Sequence, residues 1–260
     1  MSRWHTAAFW FLLVALLLLT RIPAASQYLS VDNVNLALAL EHFDPRIHQP
    51  QPPGYPFFVA FARVVNLLFH NAEKTFLAIS LLVSGLCLPL TVALGRRMFD
   101  RWVGQAAAVL LLLNPVFWFA GLEGPLRPNL ALFSLLTAYC AWRTWSGDRS
   151  FVIWGACAVG IGSGFRPDLL VLLAPIWLFS AWVGTRSIKT ILLGGGVLAL
   201  TVLVWTGALA YSVGGVRELV NLTSSYLADQ SRGESVVFGA STAAWFHQIN
   251  RPTCEGYAAR

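Results

Sequence analysis

Tyr55-Pro56-Phe57-Phe58-Val59-Ala60-Phe61-Ala62-Arg63-Val64-Val65-Asn66-Leu67-Leu68-Phe69-His70 is the stretch on which the architecture turns. Its 16 residues would make a helix about 24 Å long, short of the roughly 30 Å hydrocarbon core of a bilayer. Arg63, Asn66 and His70 follow at spacings of three and four, so they share one helix face. A short apolar helix with a polar stripe reads as one lying in the membrane interface, not one crossing it.

The positive charges test that reading. If the stretch crossed, Arg96, Arg97, Arg101, Arg143, Arg149, Arg186 and Lys189 would all fall outside. If it lies flat, these seven occupy three short cytoplasmic loops, and only Arg127 and Arg166 occupy the opposite short loops. The positive-inside rule selects the second arrangement. The chain then reads as an all-α, polytopic helical membrane protein of about seven spans, near 7–24, 75–95, 102–121, 129–145, 151–165, 167–184 and 190–212. Residues 1–212 form the transmembrane domain, with its N-terminus cytoplasmic. Residues 25–74 are an external loop carrying two interfacial helices, and 213–260 an external tail.

Composition agrees. Of 260 residues, 57% are hydrophobic and 12% charged, and the mean hydropathy is +0.63. A soluble domain carries about 25% charged residues, so this chain could not coat a globular surface. None of the long segments alternates apolar with polar residues as a membrane barrel would. The net charge of +6 is dispersed between apolar segments, where it sets topology and implies no nucleic-acid partner. No phosphate-cradling glycine loop followed by lysine is present. Cys87, Cys140, Cys157 and Cys254 lack paired metal spacing, and the first three read as small core hydrophobes. Arg3, the apolar run 7–19 and Pro23-Ala24-Ala25-Ser26 also fit a cleaved signal peptide, but an uncleaved anchor suits a chain that is apolar throughout.

Breakpoints fall where this parsing needs them. Asn114-Pro115 lies near the outer end of its span, and Gly121 to Pro128 forms an external turn. Gly164-Phe165-Arg166-Pro167-Asp168 is another, with Pro opening the next helix. Gly194-Gly195-Gly196 should allow close helix packing. Trp4, Trp10, Trp118, Trp142, Trp145 and Trp182 stand near span ends, as an interfacial belt would place them.

The polar residues of chemical interest gather in the external segments. Asp32 reads either as a helix N-cap or as a base or cation ligand at the membrane surface. Glu123, in Leu122-Glu123-Gly124-Pro125, is either a solvated turn residue or a second acid. Arg127 and Arg166 either meet lipid headgroups or ion-pair, Arg166 with Asp168, or else they grip an anion. His48 and Gln51 either face water or bind hydroxyl groups.

Asp32-Asn33 after the first span, then Gln49-Pro50-Gln51-Pro52-Pro53-Gly54-Tyr55-Pro56, then Gly95-Arg96-Arg97-Met98-Phe99, Asn114-Pro115-Val116-Phe117-Trp118 and Gly162-Ser163-Gly164-Phe165-Arg166-Pro167-Asp168 form an ordered set. That set, over residues 8–185, resembles the GT-C membrane glycosyltransferases of the protein mannosyltransferase type, glycosyltransferase family 39 and its bacterial kin. The resemblance implies transfer of a sugar from a polyprenyl-phosphate donor to an acceptor at the non-cytoplasmic face, in a bacterial inner (plasma) membrane. Its partners are the lipid-linked donor and membrane lipids, with the acceptor unspecified. It gives Asp32 a catalytic role near the acceptor nucleophile and makes Glu123 the candidate second acid. It makes Asn33, His48, Gln51, Arg127 and Arg166 candidate substrate-binding residues. Relatives often carry two adjacent acids where this chain has Asp32-Asn33, so no metal ligand set is assigned. No cofactor is certain, and a divalent cation stays open. Such relatives usually run longer, so a truncated or non-catalytic scaffold is the competing expectation. A transporter or flippase ranks lower, because ionisable residues are scarce in mid-span.

Overall fold

The computed structural model describes residues 3–25 and 31–234. All of their regular structure is helical: α1 Arg3–Arg21, α2 Val31–Glu41, a 3-10 turn Pro45–Ile47, α3 Pro56–Phe69, α4 Ala72–Met98, α5 Arg101–Leu113, α6 Pro115–Glu123, α7 Leu126–Trp145, α8 Phe151–Phe165, α9 Asp168–Thr185, α10 Ile188–Val213 and α11 Val216–Glu234. Among the described residues, three helices are long and apolar enough to cross a membrane: α4, α9 and α10. The bent pair α5–α6 makes a fourth if it counts as one span, while the apolar part of α1 and all of α3 and α8 are shorter. The expected helices are thus present, but length and composition alone give three or four spans and not seven.

The surface is that of a protein dissolved in lipid. Leu110, Val171, Leu192, Leu200 and Leu203 are all more than half exposed on the helix flanks. Apolar cover on that scale would drive a water-soluble chain to aggregate. Inside the bundle, where lipid tails are as apolar as leucine, small residues let backbones approach. Gly95 of α4 and Gly104 of α5 meet this way: a Cβ on Gly95 would stand 2.6 Å from the Gly104 Cα. The glycine triplet of α10 does so only in part. Gly194 packs under Trp177 and Val152, whereas Gly195 and Gly196 face open space. Cys87 and Cys140 are buried free thiols, and Cys157 is half-buried. Trp145 and Trp182 are exposed, as a belt requires. The side chain of Trp4, Cys254 and the tail beyond Glu234 lie outside the described residues.

The break expected near Asn114-Pro115 is sharper than a kink, with α5 and α6 meeting at 54°. Pro115 cannot donate its backbone nitrogen, and Asn114 Oδ1 accepts from the amides of Val116 and Phe117, starting a new helix in a new direction.

The stretch 55–70 is helical as α3, with Phe58, Val59 and Ala62 buried and Val64, Leu67 and Leu68 exposed. Two residues of its polar stripe, Arg63 and Asn66, bond to neighbouring elements while His70 is exposed. Arg63 Nε and Nη2 donate to the carbonyls of Leu40 and Ala39, each at 2.9 Å. The last carbonyls of a helix lack partners of their own, so α3 caps the C-terminus of α2. Asn66 Oδ1 accepts from Thr75 of α4 at 2.9 Å. These bonds tie α3 to α2 and to α4.

Candidate functional site

The ends of α6, α7, α8 and α9, the start of α2 and the loop before α3 converge on one cavity of about 1480 Å³. The seven basic residues of the predicted cytoplasmic loops fall at the opposite helix ends. Six of the candidates line the cavity: Asp32, Asn33, Gln51, Glu123, Arg127 and Arg166. They come from four separate segments of the chain, so the fold assembles what the sequence scatters.

Asp32 lies in the first turn of α2, whose first residue is Val31. It is therefore inside the helix and is not its N-cap, and the helix dipole favours its negative charge there. Its Oδ1 accepts a hydrogen bond from Gln51 Nε2. Gln51 sits in a loop with cis peptide bonds at Gln49–Pro50 and Pro52–Pro53. Asn33 is buried, and its Nδ2 donates to the Glu123 carbonyl, tying α2 to the end of α6.

Glu123 closes α6, and Arg127 opens α7 on the far side of Gly124-Pro125. Arg127 Nη2 donates to Glu123 Oε1 at 2.9 Å. Glu123 Oε2 is buried, with no hydrogen-bond partner among the described residues. Arg166 follows α8 and forks onto Asp168, with Nε to Oδ1 at 3.2 Å and Nη2 to Oδ2 at 2.9 Å. Both arginines are thus ion-paired within the cavity wall. These contacts use only part of a guanidinium's donor set. Among the described residues no group of three His, Cys, Asp or Glu side chains stands ready to hold a metal ion.

His48 is the exception. It does not line the cavity; it caps the 3-10 turn in the left-handed region at φ 60°. Its ring meets that of Tyr226 edge to face, with centroids 6.0 Å apart.

Several wall residues escaped the sequence reading. Tyr55 lines the cavity, and burial pushes its phenol up to about 12, with neighbouring Arg166 pulling the other way. Thr223, Tyr226 and Leu227 of α11 line it too. Tyr55 sits in the Pro-Pro-Gly-Tyr-Pro stretch, but nothing local marks it as a neighbour of Arg166. The α11 residues follow the last apolar segment, where no motif signals a return to the site.

Part of the wall is apolar, with Leu111, Val116, Leu130, Ala131 and Val171. A cavity with a charged mouth and a greasy flank suits an amphiphile, and its volume exceeds the roughly 300–1,000 Å³ of ordinary small-molecule pockets.

The family model described as dolichyl-phosphate-mannose-protein mannosyltransferase matches residues 49–207, more than half of the chain. No curated protein and no solved structure matches.

Proposed function

The chain belongs to the dolichyl-phosphate-mannose-protein mannosyltransferase family, and on that footing we propose that it transfers a sugar from a polyprenyl-phosphate donor to an acceptor at the non-cytoplasmic membrane face. The observation that carries the proposal is the gathering of Asp32, Gln51, Glu123, Arg127 and Arg166 around one amphiphilic cavity. In this reading the bundle crosses the membrane seven times, as α1, α4, α5–α6, α7, α8, α9 and α10, with the arginine-rich ends in the cytoplasm.

The chemistry follows from charge. The Asp32 carboxylate takes the proton of an acceptor hydroxyl as its oxygen attacks the anomeric carbon. The bond from that carbon to the phosphate oxygen breaks, and the departing lipid phosphate gains a negative charge. Arg127 and Arg166 stabilise it with the guanidinium donors that their ion pairs leave over. Gln51 orients Asp32 through its hydrogen bond. The apolar flank takes the first isoprene units of the carrier.

The test is transfer by the purified chain from a panel of radiolabelled polyprenyl-phosphate sugars, comparing the wild type with Asp32→Asn. Product from the wild type alone supports the proposal, and full turnover by Asp32→Asn removes the base assignment. A non-catalytic scaffold is the second reading, favoured by the two ion pairs that already neutralise both arginines. A folded wild type with no product from any donor selects it.

A further inference from the structure

Among the described residues, Arg21 is the largest side chain to be buried completely, and Ser84 is buried as fully. Arg21 Nε and Nη1 and Ser84 Oγ have no hydrogen-bond partner among the described residues. The two side chains stand together. The point where a Cβ would sit on Gly121 lies 3.1 Å from Arg21 Nε and 3.4 Å from Ser84 Oγ. Arg21 ends α1, Ser84 belongs to α4 and Gly121 to α6, so three helices meet there. Any side chain at 121 would press on both polar groups.

The charge is only partly answered from within the chain. The dipole of α1 favours a cation in its last turn. The Phe117 carbonyl takes Nη2, and the Phe117 ring faces the guanidinium. No carboxylate pairs with Arg21 among the described residues, and nothing accepts from Nε or Nη1. Buried donors without acceptors are costly, and so is a buried charge without a counter-charge.

What the cluster lacks is of one kind. Nε and Nη1 can only donate, and the Ser84 hydroxyl is free to donate as well. A water molecule would bring two more protons to a place that already has donors to spare. A small anion needs donors only, and it cancels the charge. We propose that Arg21 and Ser84 hold a chloride-sized monovalent anion at the junction of α1, α4 and α6. Phe117 faces Arg21 and also lines the large cavity, so the ion reaches the junction past a single ring. Nothing in this site depends on the transferase reading.

The test is thermal unfolding of the full chain in detergent, with chloride exchanged for gluconate at constant ionic strength. Chloride should raise the wild-type Tm by several degrees and then saturate, as a ligand of the folded state does. Arg21→Met should melt close to the wild type in gluconate and gain nothing from chloride. Ser84→Ala, which keeps the charge, should need several-fold more chloride for the same rise. Radiolabelled chloride should bind the wild type at one ion per chain, and bromide should displace it.

An equal chloride response in the wild type and Arg21→Met would overturn the proposal. So would a wild type that binds no labelled chloride, which would leave water as the partner of these donors. Should Arg21→Met fail to fold, Ser84→Ala decides, and an unchanged chloride affinity there rejects the site. Sugar transfer reports on the cavity alone, so either conclusion stands without the other.

Discussion

The guanidinium of Arg21 lies 5.1 Å from the centroid of the Phe117 ring, and its Nη2 donates to the Phe117 carbonyl at 3.3 Å. This joins the C-terminal end of α1 to α6, the oblique wall of the cavity. Arg21 is fully buried, and its Nε and Nη1 have no hydrogen-bond partner among the described residues. Gly121 makes room for it: a Cβ there would stand 3.1 Å from Arg21 Nε.

A buried charge with unmet donors costs free energy that an apolar side chain of similar volume does not. Arg21→Met should therefore stay within about 1 kcal/mol of the wild type in thermal unfolding. Arg21→Ala, which leaves a void, should lose about 2–4 kcal/mol. Equal losses from both variants would show that the charge itself is required.

Asp32 and Gln51 should separate in kinetics. Losing a general base costs about 10²–10⁴-fold, so Asp32→Asn should lower turnover by that order with little change in donor KM. Gln51→Ala removes only the hydrogen bond that orients the carboxylate, and a fall of about fivefold is expected, since one net hydrogen bond is worth about 1 kcal/mol. A larger effect from Gln51→Ala than from Asp32→Asn would move the chemistry away from Asp32.

Arg63 acts at a distance from the cavity. Arg63→Ala frees the carbonyls of Ala39 and Leu40, and hydrogen bonds to a charged group are worth about 1.5–3 kcal/mol. The variant should lose about that much stability in a denaturation series. Arg63→Lys should recover part of it, because an ammonium reaches a carbonyl but cannot fork across two in one plane.

Alkaline pH should weaken the fold through Tyr55. Its phenol ordinarily titrates at 10.0 and is pushed up to about 12 by burial. Between those values the native state holds a proton that the unfolded state has lost, so stability falls as pH rises. Below pH 10 the contribution is complete. Tyr55→Phe should flatten that part of the stability profile, and an unchanged slope would show that the phenol is solvated.

The helices were legible because apolar length and proline punctuation are local signals. Asn114-Pro115 was readable as a breakpoint, but its 54° bend depends on what α6 leans against. The face shared by Arg63, Asn66 and His70 was readable too. Its partners were not, since the carbonyls of Leu40 and Ala39 come within reach only when α2 folds against α3. In the site, charged residues at the breaks between apolar segments announced themselves: Asp32, Glu123, Arg127 and Arg166 all line the cavity. Tyr55 and Tyr226 did not, because an aromatic residue at a membrane surface has many ordinary reasons to be there. His48 read either as a water-facing residue or as a hydroxyl ligand, whereas it caps a 3-10 turn outside the cavity lining and its ring meets Tyr226 of α11.

The turn at Asn114-Pro115 gives the fold a further property. The 13 residues of α5 rise only about 20 Å, some two-thirds of a hydrocarbon core, and in the proposed seven-span arrangement α6 completes the distance at a slant. A slanted segment answers a thicker bilayer by standing up and a thinner one by lying down. Phe117, Ala120 and Glu123 ride on that segment, so the mouth of the cavity is coupled to the acyl-chain length of the surrounding lipid. In the seven-span reading, membrane thickness is thereby a mechanical input to the site.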